Sequence, residues 1–244
     1  MFQEAPNSYW EAMTSPDKDK WLEASQEEYK GLTEMGVWRL VDHPSNCKTI
    51  KCRWTYVLKS DGRYKARLVT KGCTQVQGID YEETFSPVVR YKSIRYLLTH
   101  TALQDWEIET MDVKLAYLHG VLNEEIYMEQ PEGFIAQGEE DKVSRLVHSL
   151  YRSKQGGQVW NKTFAHTIKK KVGFDTIHSD AGVYVMHQHK GGKLRNRYNP
   201  HLICRRPLTF GRRPFQSSQN KAKTRQIVSY EGPWTCLILF GDLN

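Results

Sequence analysis

From Lys190 onward this chain loses the hydrophobic periodicity that a packed fold needs, and that loss bounds what it can fold into. The stretch KGGKLRNRYNPHLICRRPLTFGRRPFQSSQNKAKTRQ has neither the period of two of a half-buried strand nor the period of an amphipathic helix. The charge pattern changes there too. Between Ala181 and Tyr230 there are eleven Lys or Arg and no Asp or Glu, whereas 24 basic and 26 acidic residues precede Ala181. The formal net charge of +7 therefore belongs to one segment, and any case for nucleic-acid binding from overall charge is confined to it. Taken alone, residues 190–244 read as a basic, irregular tail. The core has to come from residues 1–189.

Those residues can supply one. Apolar residues make up 39% and charged residues 26% of the chain, enough to bury a core over much of its length. No window approaches the roughly 18 consecutive apolar residues of a membrane span. The start, MFQEAPNSYWEAM, lacks the basic-then-apolar order of a signal peptide, so the expected location is intracellular, cytoplasmic or nuclear. Cys47, Cys52, Cys73, Cys204 and Cys236 form no CxxC pair, which points to reduced thiols rather than a zinc site.

Residues 8–35 carry helical spacing through Trp10, Met13, Trp21, Leu22, Tyr29 and Leu32, with Pro16 dividing two helices. VWRLV (37–41) reads as a short strand. TIKCRWTYVLK (49–59) and RYKARLVTKG (63–72) alternate around Ser60-Asp61-Gly62, a hairpin signal. On the second of these strands Lys65 and Arg67 share one face, while Tyr64, Ala66 and Leu68 share the other. Residues 91–105 read as a helix, 106–113 as a strand ending near Asp112, 125–134 as a short strand with a turn, and 158–174 as a helix stopping near Gly173. Residues 142–151 are short and mixed.

In order and spacing, YKARLVTKGCTQVQGIDYEETFSPVVRYKSIR, MDVKLAYLHGVLNEEIYMEQPEGF and SLYRSKQ followed by Trp160 resemble the reverse transcriptase domain of copia-type LTR retrotransposon Pol polyproteins. The likeness runs from about Trp10 to Val185, and several ordered motifs make it specific. It implies a right-hand polymerase of α+β class, here fingers and an incomplete palm over residues 1–189, with an antiparallel sheet and packed helices. It also implies a nucleic-acid template-primer and deoxynucleoside triphosphates as partners, no membrane, and magnesium as cofactor. The chemistry needs two divalent ions about 3.5–4 Å apart, held by hard carboxylate oxygens from neighbouring strands.

By that resemblance Asp112 is the first metal-binding and catalytic carboxylate; the plainer alternative, read alone, is a strand-end or capping aspartate. Tyr117 matches the aromatic residue that crowds a ribose 2′-hydroxyl, against the plainer reading of a core tyrosine. Lys65 and Arg67 are candidates for the incoming triphosphate, or else a solvated hairpin face. Lys154 and Gln155 match the end of the family's Leu-Tyr-Gly-Leu-Lys-Gln segment, expected near nucleotide and template. Arg152 and Ser153 depart from it, standing where the family has Gly and Leu.

The family's second acidic motif, Tyr-Val-Asp-Asp on a tight hairpin, is expected roughly twenty residues after AGVYV. The chain reads NPHLICRRPLTFGRRPF there, with Arg205 and Arg206. Ile-Cys-Arg-Arg-Pro can be written ATA TGT AGA CGA CCT; one base later it reads TAT GTA GAC GAC, which is Tyr-Val-Asp-Asp. The same shift turns flanking segments into an apolar strand and into Met-Lys-Asp-Leu-Gly-Pro. A one-base insertion, or an equivalent gene-model error, near Lys193 or Leu194 accounts for all three. The expectation is a truncated, frame-disrupted remnant without polymerase activity. Its rivals are an active subunit completed by another chain and a noncatalytic nucleic-acid-binding protein using the basic tail, with Tyr198, Phe210 and Phe215 among its cations.

Overall fold

Alternating charge and apolar residues around Asp61-Gly62 give the simplest element of the fold, a hairpin of two seven-residue strands. The computed structural model describes residues 5–45, 47–103, 107–113, 115–186, 202–205 and 235–240. In chain order these form α1 (Tyr9–Thr14), α2 (Lys18–Glu34), β1 (Trp38–Val41), β2 (Thr49–Ile50), β3 (Cys52–Leu58), β4 (Tyr64–Thr70), α3 (Tyr91–Leu103) and β5 (Glu107–Asp112). Then follow β6 (Val121–Met128), β7 (Val143–His148), α4 (Gly156–Thr167), β8 (Phe174–Ile177), β9 (Asp180–Met186), β10 (Leu202–Arg205) and β11 (Thr235–Phe240). They cluster into two compact units, residues 1–86 with 117–163, and residues 87–116 with 164–244. This spatial division runs differently from the division at 189/190 read from composition. Among the described residues no helix is long and apolar enough to cross a membrane.

In the first unit β3 and β4 pair antiparallel, with Trp54 opposite Leu68 and Tyr56 opposite Ala66. These four residues are buried and form the inner face of the hairpin, against α2. Trp21 of α2 sits edge-on to Tyr56 at 5.3 Å and to Tyr64 at 4.5 Å, a geometry that favours aromatic pairs. A second sheet runs β1-β7-β6-β2. Its β2 pairs with β6 in parallel, so this sheet is mixed rather than wholly antiparallel as expected. The run at 49–59 is broken at Lys51, whose carbonyl accepts from the Lys71 amide at 2.7 Å. Each half then joins a different sheet. Phe134 packs on Trp54 at 5.2 Å and on Tyr29 at 4.6 Å, and Trp54 Nε1 donates to the Glu132 carbonyl at 3.0 Å. Residues 142–151, mixed in sequence, contain the strand β7, because Val143 and Leu146 face the core between β1 and β6.

The second unit is a five-stranded antiparallel sheet in the order β5-β11-β10-β9-β8, with Val89, Ile94, Leu97 and Val183 clustered beside it. Where an irregular tail is expected, the two described segments of residues 190–244 are strands. They occupy the middle of the sheet, which was expected to lack its central hairpin. A strand edge needs hydrogen-bond partners, and TCLILF and LICR are apolar enough to serve. The helix expected over 91–105 ends at Leu103; residues 104–106 lie outside the described residues. α4 runs into a wider turn over Ile168–Val172, and the Gly173 amide closes it on the Ile168 carbonyl at 3.0 Å.

α3 begins on a distant carboxylate. Asp180 Oδ2 accepts from the Arg90 amide at 2.9 Å and the Ser93 hydroxyl at 2.6 Å, and Oδ1 accepts from the Gly182 amide at 3.0 Å. These bonds satisfy donors that a helix start otherwise leaves open. Gly182 has to be small here, since an added Cβ would lie 2.6 Å from the Val89 nitrogen.

Candidate functional site

The outer face of the β3–β4 hairpin is the inverse of its inner face. Register places Arg53 opposite Val69, Thr55 opposite Arg67 and Val57 opposite Lys65. With a period of two, cations on both strands fall on the same side. They line a cavity of about 640 Å³ whose wall includes Arg53, Lys59, Lys65, Arg67, Arg152 and Tyr117, and no Asp or Glu. Five cations around one concavity favour a polyanion, and the planar guanidinium suits phosphate oxygens.

The electrostatics agree. Burial, with Arg67 and Lys59 adding their positive charge, holds the Lys65 ammonium below the ordinary lysine range, against the pull of Glu28 and Glu27. The Arg67 guanidinium lies over the Tyr151 ring, 5.4 Å from its centroid. Burial pushes the Tyr151 phenol up, Glu28 adds to the rise and Arg67 opposes it. Glu28, on α2, has a buried Oε1 without a hydrogen-bond partner. Burial raises its carboxyl to about 7, against Arg67, the Leu68 amide and Lys65.

The segment after β7 closes the cavity. The Tyr151 carbonyl accepts from the amide and hydroxyl of Thr70 at 3.0 and 3.2 Å. The Lys154 amide donates to Gln75 Oε1 at 2.8 Å, and Gln75 Nε2 donates to Gln155 Oε1 at 3.1 Å. Gln155 Nε2 donates in turn to the Asp80 carbonyl at 3.0 Å. Gln155 is 0% exposed, so both ends of its amide are engaged inside the fold. Close backbone approach falls on Gly72, where an added Cβ would lie 2.5 Å from the Arg152 carbonyl oxygen. Tyr117 is half-buried, stands edge-on to Tyr151 at 6.2 Å and lines the cavity.

The structure thus brings Lys65, Arg67 and Tyr117 to one concavity and puts Lys154 on the wall of a neighbouring one. Asp112 belongs to the other unit, where it closes β5 opposite Thr235 of β11. Cys236 stands next to Thr235, opposite Arg205 of β10 on one side and Met111 on the other. Among the described residues no three His, Cys, Asp or Glu gather into a metal-holding group. The described residue in register with Asp112 is Thr235, and one carboxylate beside one threonine does not make up a site for two magnesium ions. Sequence reasoning missed Arg53, Lys59 and Arg152 as part of the basic wall. The first two were legible as cations on the alternating face of β3 and just beyond it.

The sequence model of the family described as reverse transcriptase (RNA-dependent DNA polymerase) matches residues 35–197. This chain belongs to that family. It is 45% identical over 184 residues to the Retrovirus-related Pol polyprotein from transposon TNT 1-94 of Nicotiana tabacum, covering 73% of this chain and 14% of the relative. It is 39% identical to the polyprotein from transposon RE2 of Arabidopsis thaliana, over 72% of this chain and 12% of the relative. To the Transposon Ty1-ER2 Gag-Pol polyprotein of Saccharomyces cerevisiae it is 28% identical, over 66% and 9%. The reverse transcriptase domain of copia-type Pol polyproteins is therefore what the chain represents, and it spans a small fraction of those relatives. No solved structure matches it.

Proposed function

We propose that this chain is a copia-type reverse transcriptase remnant that retains a cleft for nucleotide phosphates and has lost polymerase activity. One observation carries the reading. In the sheet that begins with the Asp112 strand, the strands filling the middle read LICR and TCLILF, without a carboxylate. Arg205 ends β10 and Arg206 follows it. A cation at the place of a metal-binding aspartate repels a divalent ion instead of holding it.

In this reading residues 1–189 are the fingers and palm fragment and residues 190–244 are translated one base out of frame. Asp112 is an inherited ligand without partners. Lys65 and Arg67 meet the triphosphate, Tyr117 crowds the ribose, and Lys154 stands near the strand. Gln155 acts indirectly by holding the turn that carries Lys154. A template-primer and deoxynucleoside triphosphates are the ligands, in an intracellular setting.

The coding DNA is the first test: the shifted frame has to read Tyr-Val-Asp-Asp. The second is primer extension by the purified chain with magnesium, where no product is expected. Extension that disappears on Asp112→Asn would overturn the proposed loss of activity. Binding of a deoxynucleoside triphosphate is expected to weaken about tenfold or more in a Lys65→Ala, Arg67→Ala double variant. Equal binding would remove the cleft from the proposal.

A further inference from the structure

Among the described residues of the first unit, Arg152 is the one non-glycine residue with a left-handed backbone, at φ 64°. A side chain there crowds its own backbone, and only Gly and, less often, Asn or Asp adopt the conformation readily. The surroundings impose it. Tyr151 is tied to Thr70, the Ser153 amide donates to the Leu150 carbonyl at 3.1 Å, and the Lys154 amide is held by Gln75. The turn's shape is therefore set whatever residue stands at 152, and an arginine is strained in it.

That strained residue has a distinctive location. Beside the first concavity lies a second, of about 600 Å³, whose wall includes Arg53, Lys71, Lys154 and Arg152, again with no Asp or Glu. Arg53, Arg152 and Ser153 belong to both walls. Arg152 is exposed, and no ion pair engages it among the described residues. Strain kept at an exposed cation between two basic concavities points to a ligand.

We infer that Arg152 is a phosphate-binding residue that joins the two concavities into one anion track. The track takes phosphate groups, whether those of a nucleoside triphosphate or those along a nucleic-acid strand. This rests on the reading that the cleft binds nucleotide phosphates and adds a residue at which this chain departs from its family's glycine. The fork of the guanidinium can bridge two phosphate oxygens at once.

The test uses the full chain, Arg152→Asn, Arg152→Gly and the Lys65→Ala, Arg67→Ala double variant. The probes are dTTP and a labelled single-stranded oligodeoxynucleotide of about ten nucleotides. Asn and Gly relieve the backbone, so thermal midpoints are expected at or above that of the parent chain. Affinity is expected to fall about tenfold with both substitutions. The salt dependence of oligonucleotide binding is expected to flatten by about 0.7 in log–log slope, one phosphate contact's worth. A loss confined to dTTP assigns Arg152 to the triphosphate, and a loss confined to the oligonucleotide assigns it to the strand. Unchanged binding in both Arg152 variants, while the double variant is weak, overturns the inference and leaves the cleft standing. A fall in both midpoints overturns it too, since Arg152 would then hold the fold. If the parent chain binds neither probe, the cleft reading fails and this inference fails with it.

Discussion

The two units handle polar groups in opposite ways. In the first, a buried chain of amides, Gln75 to Gln155 to the Asp80 carbonyl, supports a wall of cations without a carboxylate among them. In the second, one aspartate ends an edge strand opposite Thr235 of β11, and the next row across β11 and β10 reads Met111, Cys236 and Arg205. Among the described residues both regions form paired strands and helices. The difference teaches that main-chain pairing and site chemistry are separable. Strand ladders use backbone groups that every non-proline residue carries, so LICR and TCLILF form strands of a sheet although neither contains a carboxylate.

The largest effect is expected from restoring the second unit's chemistry. If the proposed loss of activity holds, re-reading the coding sequence from near Lys193 in the shifted frame is expected to give a chain with magnesium-dependent primer extension where the present one has none. A restored chain that stays inactive would show that the first unit is defective as well. Next comes Gln155→Leu. It leaves the Gln75 amide and the Asp80 carbonyl without partners in the interior, and a destabilisation of about 3–4 kcal/mol is expected in denaturant unfolding. A change under about 1 kcal/mol would mean that the network is not what holds the cleft wall.

Glu28 gives the first unit a pH dependence. Its carboxyl is raised from 4.5 to about 7 by burial. The folded state therefore binds a proton that the unfolded chain releases. The resulting stability is complete below 4.5 and is lost as pH rises through 7. Comparing Glu28→Gln with the parent chain at pH 5 and pH 8 is expected to show a relative gain for the variant of about 3 kcal/mol at the higher pH.

Asp180 gives the second unit the opposite sign. Burial pushes its carboxyl up, but the Ser93 hydroxyl and the Arg90 and Gly182 amides together hold it below 3.8. Its stabilisation is present above that value and is lost as pH falls through the folded-state value. Asp180→Ala removes three hydrogen bonds at the start of α3 and is expected to cost about 2 kcal/mol, with exchange of α3 amides rising first. The smallest effect belongs to the surface. Arg145 and Glu125 pair at 2.6 Å, but their side chains are 47% and 65% exposed, so Arg145→Ala is expected to change stability by about 0.5 kcal/mol or less.

Much of the first unit was legible beforehand. The hairpin around Asp61-Gly62, the split of Lys65 and Arg67 from Ala66 and Leu68, and the helices either side of Pro16 follow from local periodicity and turn chemistry. β7 was not legible, because its half-buried residues make sense only between β1 and β6. Nor was the break at Lys51, where two strands of one apparent run join different sheets. At the cleft, Lys65 and Arg67 were legible from alternation, whereas the placement of Arg152 beside Arg53 depends on a turn folded over Gly72, eighty residues away in sequence.

By itself the sequence determined the family, the location of Asp112 at the end of a strand, and the absence of a second acidic motif, since all three are matters of residue identity and order. Tertiary structure alone decided that Gln155 is buried support for Lys154, that Arg152 is strained between two basic concavities, and that segments of the basic tail pair beside the Asp112 strand. Those outcomes depend on which distant backbone groups must be hydrogen-bonded and which side chains have to share one interior. No local pattern records that requirement.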